Sequence, residues 1–259
     1  MLVFPQLQTG AIAQYPLRRT DVFRTAVNEL ADGGEIKFAD ESGEVTRWEV
    51  RLEGLSDEEW AGIADLYDAV EGRLGTFTFL DPLSNLFVWS EDFEKDEWIA
   101  DPLLSIVPGV ADPFGGTAAF QLVNAGGAPQ TVRQVFNAPE GFHYCCSVWV
   151  RGESDASMGI RRGGVTETVP VGTSWTRVAS GGSTGGVGDT FTAGFTLSPA
   201  SSVEVYAPQL EAQPASGAYW RTTVRGGVYD KVRFAEDRLD LIARDRAANA
   251  SVVRLVSVG

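Results

Sequence analysis

The sequence has 259 residues, and its 35 acidic residues against 21 basic ones give a formal charge of −14. A surface this acidic repels nucleic acid and anionic membranes, so we expect neither as a partner. With 44% hydrophobic residues and 29 glycines, the composition favours many short strands joined by turns around a sizeable core.

The N-terminal part reads as strands followed by one helix. Strands are predicted at 22–27, 35–39 and 45–55, with turns at 31–34 and 40–44. Residues 45–55 alternate, with Trp48, Val50 and Leu52 on the apolar face, which is typical of a half-buried antiparallel strand.

The single predicted helix begins after Ser56, where Glu59 completes a capping box. Its apolar stripe contains Trp60, Ile63, Ala64, Tyr67 and Val70. Gly72 or Gly75 ends the helix, and a strand at 76–80 stops at Asp81-Pro82.

From about residue 85 to residue 235 no helical periodicity remains. Short candidate strands lie between Gly, Pro, Asn and Ser clusters, and the glycine-rich segment 180–186 is predicted to be a mobile turn. The candidates are 103–107, 118–123, 131–136, 142–150, 158–162, 165–169, 173–179, 190–197 and 202–210. Their spacing favours an antiparallel β-sandwich of jelly-roll type.

The C-terminal part carries predicted strands at 228–234, 239–243 and 251–258. A segment of about 40 residues is too short to form a stable domain alone. We therefore predict a split domain of residues 1–84 plus 222–259, into which a sandwich of residues 85–221 is inserted. The predicted fold class is mainly β: an α+β split domain with one clear helix, plus the inserted sandwich.

No segment suggests export, membrane insertion or a disulfide. The N-terminus lacks the basic and long apolar regions of a secretory signal, and no apolar run approaches about 20 residues. Adjacent strand side chains point to opposite faces, so we expect Cys145 and Cys146 to be free packing residues.

Little in the sequence indicates catalysis. His143 is the sole histidine, so Ser-His-Asp or Cys-His machinery would have to pass through it, and the usual zinc sites lack ligands. No Walker loop or dinucleotide fingerprint is present, and no carboxylate pair stands out for glycoside hydrolysis. The chain is therefore predicted not to be an enzyme.

Two groups of residues resemble known phage proteins. Gln14-Tyr15-Pro16, Trp48-Glu49-Val50, the segment 55–59 and the segment 71–82 (EGRLGTFTFLDP) resemble minor tail proteins of long-tailed bacteriophages, and more narrowly their distal tail proteins. The segments 144–151 (YCCSVWVR), 207–211 and 218–222 resemble the carbohydrate-binding-module-like jelly roll of phage tail and tail-fibre proteins.

The first resemblance implies a structural, non-enzymatic role in the virion tail tip, after assembly in the host cytoplasm. It implies a ring, either a hexamer or a trimer-related ring, that joins the tail tube protein to the tip hub protein. The alternatives are a receptor- or carbohydrate-binding tail accessory protein and, less favoured, an enzyme that degrades envelope glycans.

The second resemblance implies an outward sandwich that contacts a host-surface glycan. Trp89, Trp98 and Trp175 are the candidates for stacking on sugar, although the sequence leaves all the sandwich aromatics open as core residues. It also implies a structural calcium ion near the first and last strands. The expected ligands are Glu91, Asp92, Glu94 and Glu211, and the alternative is a solvated acidic loop.

Overall fold

The structure is a computed structural model that describes residues 1–153 and 155–258, except for the side chains of residues 41 and 42. The chain folds into two compact units. The split unit contains residues 2–5, 13–79 and 229–259, and the sandwich unit contains residue 1 with 6–12 and 80–228. The sequence placed the sandwich at 85–221, so the structure adds five residues before it, seven after it and a short N-terminal segment.

The split unit is built on one sheet and one helix. Its strands lie in the order β1-β2-β16-β14-β3, with β15 on β16. The bounds are β1 Leu17–Glu29, β2 Glu35–Leu55, α1 Asp57–Ala69, β3 Phe77–Leu80, β14 Val228–Phe234, β15 Ile242–Asp245 and β16 Ala248–Ser257. Trp48, Val50 and Leu52 are buried on the predicted face of β2.

The helix α1 begins as the sequence predicts. The Ser56 side chain accepts a hydrogen bond from the Glu59 backbone N–H (3.1 Å), and the Glu59 carboxylate accepts one from the Ser56 N–H (2.8 Å). The buried residues of α1 are Ile63 and Leu66, and the prediction did not include Leu66 in the stripe. No helix among the described residues is both long and apolar enough to cross a membrane.

The sandwich unit contains two five-stranded antiparallel sheets, β10-β9-β12-β7-β4 and β11-β8-β13-β6-β5. The bounds are β4 Ile99–Ala100, β5 Leu104–Val110, β6 Ala119–Asn124, β7 Gln130–Phe136, β8 His143–Gly152, β9 Ala156–Arg162, β10 Val165–Val171, β11 Thr176–Ser183, β12 Phe191–Leu197 and β13 Ser201–Glu211. The fold class predicted from the sequence, mainly β with an antiparallel sandwich, is confirmed.

Aromatic rings fill the space between the two sheets. Tyr144 of β8 stacks on Phe191 of β12 with ring centroids 3.9 Å apart. Phe93 contacts Phe120 of one sheet and Phe195 of the other. All five side chains are at most 5% exposed, so this core holds the sheets face to face.

Asn85, which is fully buried, connects the start of the sandwich to its end. Its Nδ2 donates to the carbonyls of Pro208 (2.8 Å) and Trp220 (3.3 Å). Its Oδ1 accepts from the N–H groups of Phe87 (3.0 Å) and Leu210 (2.9 Å). One amide thus satisfies four backbone groups, three of them more than 120 residues away in sequence.

Two predicted turns are wrong. Residues 40–44 lie inside strand β2, which runs from Glu35 to Leu55. The pairing of β2 with β1 shifts register there, between Val22 and Arg24 of β1. Residues 180–183 of the glycine-rich segment continue β11 and pair with β8. The two-residue strand β4 was missed because so short a segment carries no periodicity.

Candidate functional site

The outward face of the sheet β11-β8-β13-β6-β5 carries the most distinctive group of side chains in the sandwich unit. Along β8, Val148 and Val150 point into the core, whereas Trp149 and Arg151 point outward and are half-buried. We use the name outer platform for six side chains of this face. They are Gln121, Trp149, Arg151, Trp175, Glu204 and Tyr206.

Strand register assembles the outer platform. Tyr206 of β13 lies opposite Trp149 of β8, and Glu204 lies opposite both Arg151 of β8 and Gln121 of β6. Directly opposed residues on one face have Cβ atoms about 5 Å apart, so these side chains form two neighbouring rows. The aromatic row is Trp149 with Tyr206, and the polar row is Arg151, Glu204 and Gln121.

The polar row is fixed by its own contacts. The Arg151 Nε donates to Glu204 Oε2, and the guanidinium lies 4.9 Å from the centroid of the Trp175 ring. Gln121 Nε2 donates to the Ser202 hydroxyl at 3.0 Å. A guanidinium held by both a carboxylate and an aromatic ring has few other positions, so the row is preorganised.

A polar hollow of about 360 Å³ opens beside this row. Its lining includes Gln121, Arg151, Ser202, Glu204 and Thr173, which together offer both donors and acceptors. Small-molecule sites combine a concave surface with a few convergent polar groups, and the hollow has both features.

Phe114 extends the aromatic row. This side chain is 73% exposed, and its ring lies edge-on to Trp149 (5.7 Å) and Tyr206 (6.0 Å). The loop that carries it is held by Asp112, whose carboxylate accepts the N–H groups of Phe114 (2.8 Å) and Gly116 (3.0 Å). Desolvation alone would raise the pKa of Asp112, but these backbone donors outweigh it and the pKa is lowered.

Tyr206 also faces an acidic neighbour. Its hydroxyl donates to Glu91 Oε1 at 3.3 Å, while Glu91 Oε2 pairs with Arg221 at 3.0 Å. Burial first, and then the Glu91 charge, raise the pKa of Tyr206 to about 12. The phenol therefore stays protonated near neutral pH and remains a hydrogen-bond donor.

The other half of this sheet face is covered by the chain itself. Arg177 donates to the Gly217 carbonyl (2.9 Å) and to the Ser147 hydroxyl (2.9 Å), and Glu211 accepts the Gly217 N–H (3.0 Å). Ser147 and Glu211 are buried as a result. The outer platform is the part of the face that remains open.

The three tryptophans predicted for sugar stacking have different surroundings. Trp175 belongs to the outer platform. Trp98 is a correction: it is 5% exposed and packs against Phe87 and Phe93, so its ring faces are taken by the core. Trp89 is half-buried beneath the Lys95 ammonium, 4.9 Å from its ring centroid.

The carboxylates predicted to bind calcium do not form a metal-binding cluster. The described residues contain no group of three or more His, Cys, Asp or Glu side chains that could hold a metal ion. Glu91 is paired with Arg221, and Asp92 lies 3.5 Å from the Lys95 ammonium and accepts the Glu94 N–H. The pKa of Glu211 is raised, chiefly by burial. Calcium binding stays a prediction.

The cysteines are free and buried, as predicted. Burial raises the pKa of Cys145 to about 11 and raises that of Cys146 as well. Nucleophilic cysteines act as thiolates, so these two thiols are protonated and unreactive near neutral pH. His143 is half-buried at the start of β8, where its backbone pairs with the Gln6 side chain.

No protein-family model and no curated protein matches the chain. Among solved structures, the CBM22-1 xylan-binding domain of Paenibacillus barcinonensis Xyn10C is similar over 52% of this chain and 95% of that domain, with 13% identity and a TM-score of 0.39.

A carbohydrate-binding module described as CBM4 is similar over 51% of this chain and 96% of its own, with 11% identity and a TM-score of 0.36. The enzymatically active domain of tailspike protein 4 from bacteriophage CBA120 is similar over 51% of this chain and 22% of its own, with 16% identity and a TM-score of 0.38.

Sequence reasoning missed most of the outer platform. Of its six members, only Trp175 was among the candidates. The alternation along β8 was the available signal, because Trp149 and Arg151 fall out of phase with the core residues Val148 and Val150. The pairing with Glu204 and Gln121 depends on strand register, which a single sequence does not provide.

Proposed function

We propose that the sandwich unit binds a glycan on the outer platform. One observation carries this proposal: an open sheet face where aromatic rings lie beside a fixed row of arginine, glutamate and glutamine. Sugars present apolar C–H faces and vicinal hydroxyls, which suit flat rings and planar polar side chains respectively. Arg151, Glu204 and Gln121 supply the donors and acceptors, and Trp149, Trp175 and Tyr206 supply the rings.

Tryptophan fluorescence tests glycan binding directly. The full chain would be screened on an array of bacterial capsular, O-antigen and plant β-glycans, and hits would be titrated. We expect Trp175→Ala and Glu204→Gln each to weaken binding at least about tenfold, which corresponds to about 1.4 kcal/mol. Trp220→Ala is the matched control, since this tryptophan is 54% exposed and outside the platform.

Two results would oppose this proposal. One is the absence of any hit on an array on which control lectins bind their known glycans. The other is a hit whose affinity is unchanged by both platform variants, because the glycan would then occupy another surface.

A second role is proposed for the split unit: self-association into a ring of a phage-type tail tip, contacting tail tube and hub proteins. The sequence resemblance in residues 10–82 supports the tail assignment. Support for self-association comes from β1 and β2. Strand β16 pairs with β2 only over residues 47–55, so residues 22–45 form a two-stranded ribbon, named here the hairpin arm.

The hairpin arm exposes apolar side chains along its length. The exposed residues are Val22, Phe23, Val27, Leu30, Ile36 and Phe38, with Phe23 at 73%. An isolated two-stranded hairpin is marginally stable in water, and exposed apolar patches mark interaction surfaces. A neighbouring copy that covered the arm would stabilise the hairpin and bury its apolar side chains.

Sedimentation velocity over the micromolar range tests self-association. We expect the wild-type chain to form closed oligomers, and Phe23→Ser with Phe38→Ser to shift the population toward monomer. Phe114→Ser, which changes an equally exposed phenylalanine in the sandwich unit, should leave the oligomers intact. A wild-type chain that is strictly monomeric over the micromolar range would overturn the ring.

A further inference from the structure

The split unit contains a cationic cavity that neither proposal above uses. It has a volume of about 440 Å³ on the polar face of the sheet β1-β2-β16-β14. Five arginines line it, together with Glu49 and Glu236. They are Arg18, Arg47, Arg73, Arg233 and Arg254, and we name this cavity the arginine groove.

Strand register explains how the arginines converge. Arg47 of β2 and Arg233 of β14 both lie opposite Val256 of β16, so they are two strands apart, or about 10 Å. Arg18 lies opposite Glu49, one row along the same face. Arg73 reaches the groove from the loop after α1, where its backbone N–H donates to Asp237 at 3.0 Å.

Only one of the five arginines is neutralised. Arg254 pairs with Glu49 (3.3 Å) and Glu236 (3.0 Å). Within the described part of the chain, the side chains of the other four have no ion pair or hydrogen bond. Like charges close together on one face of a sheet repel one another. The chain has 35 carboxylates, yet none of them pairs with these four arginines within the described residues. Four unpaired guanidinium groups around one cavity therefore form a ready anion site.

The tip of the hairpin arm has the opposite character. Residues 28–36 contain three carboxylates and no basic residue. Glu29 and Glu35 are exposed and lie directly opposite each other across β1 and β2, and Lys37 neutralises Glu35 alone at 2.9 Å. Opposed like charges destabilise a hairpin, and an incoming cationic surface would reverse that penalty.

The tip and the groove of one chain do not meet. Glu29 lies 11 residues beyond Arg18 on the same strand, or about 37 Å along it. The pairing of β1 with β2 shifts register between Val22 and Arg24 and then resumes from Arg24 to Glu29, so the arm extends away from its own groove on both sides of the irregularity. A contact between these two surfaces therefore joins two copies of the chain.

We propose that the arginine groove of one copy binds the Glu29–Glu35 tip of the next copy. The inference rests on the proposed self-association and names the contact that produces it. Two different surfaces of one chain pair in a head-to-tail manner, and a head-to-tail contact repeats into a closed ring when its rotation allows. Arginine suits this role because its planar fork binds carboxylates in a bidentate manner.

Charge reversal on each side tests the pairing. The groove variant is Arg47→Glu with Arg233→Glu, and the tip variant is Glu29→Arg with Glu35→Arg. Each alone should lower the apparent association constant of the full chain at least tenfold in sedimentation velocity at 50 mM salt. Mixed in equal amounts, the two variants should assemble again, because each offers the surface that complements the other.

The controls separate charge pairing from misfolding. Arg244→Glu changes an exposed arginine of the same unit outside the groove and should not affect assembly. Far-ultraviolet circular dichroism would verify that every variant is folded. If the groove reversal fails to fold, Arg47→Gln with Arg233→Gln replaces it, and Glu29→Gln with Glu35→Gln replaces a tip reversal that fails to fold. The salt dependence of wild-type assembly gives a second measurement, since 500 mM salt should weaken the contact.

The possible results of these experiments distinguish the ring from the groove-to-tip contact. A wild-type chain that stays monomeric overturns both the ring and the pairing. Oligomers that survive both reversals overturn the pairing and leave the ring in place. Reversals that dissociate the oligomer without recovery on mixing overturn the groove-to-tip contact, because the two surfaces then act with other partners.

Discussion

Replacing Asn85 by alanine is expected to destabilise the sandwich unit strongly. The substitution removes the acceptor of two backbone N–H groups, on Phe87 and Leu210, and the donor to two carbonyls. A buried N–H left without a partner costs about 1–3 kcal/mol, so two cost about 2–6 kcal/mol. Carbonyls keep a second lone pair and add less. We therefore expect a loss of about 4 kcal/mol.

Urea unfolding followed by tryptophan fluorescence measures this loss, since five of the seven tryptophans lie in the sandwich unit. Thr168→Ala, at an exposed position of β10, is the control and should remain within about 0.5 kcal/mol of wild type. A loss below about 1 kcal/mol for Asn85→Ala would refute the reasoning, because it would mean that the four backbone groups find other partners.

Three further predictions concern titration, capping and thiol reactivity. The pKa of Glu211 is raised above its ordinary value of 4.5, chiefly by burial, so its contribution to stability is greatest below pH 4.5 and is lost as the pH rises through the folded-state pKa. Glu211→Gln should therefore stabilise the protein at pH 8 but not at pH 4; equal effects at both pH values would contradict the burial argument. Ser56→Ala should cost about 1 kcal/mol in thermal unfolding because α1 loses its capping box with Glu59, and Glu58→Ala, at an exposed position of the same turn, should cost less. Cys145 and Cys146 should resist iodoacetamide at pH 8 in the native state and react in 6 M guanidinium; rapid native labelling would show that the thiols are accessible.

The sequence was most informative where a pattern was local. The capping box of α1 and the alternation in β2 depend on residues within a few positions of each other, and both are present. All nine predicted sandwich strands occur, because turn residues punctuate a β-rich chain.

Prediction failed where pairing overrides local preference. The segment 40–44, with its charged residues and glycine, has turn character, but it continues β2 because β1 pairs with it on both sides of a bulge. The outer platform and the arginine groove arise from residues that lie far apart in sequence, in the groove by more than 200 positions. Their register is a property of the folded sheets and has no signature in any single segment.

The strand order of the split unit has a consequence for how the chain is made. Strand β16 lies between β2 and β14, although nearly 200 residues separate it from β2 in sequence. The sandwich unit lies almost wholly between β2 and β16 in sequence, so its sheets can form before β16 is synthesised. Until then, the edge of β2 that pairs with β16 has no partner strand. During this interval the nascent chain exposes a bare strand next to an apolar arm. The proposed groove-to-tip contact cannot form in this interval, because residues of β14 and β16 complete the arginine groove.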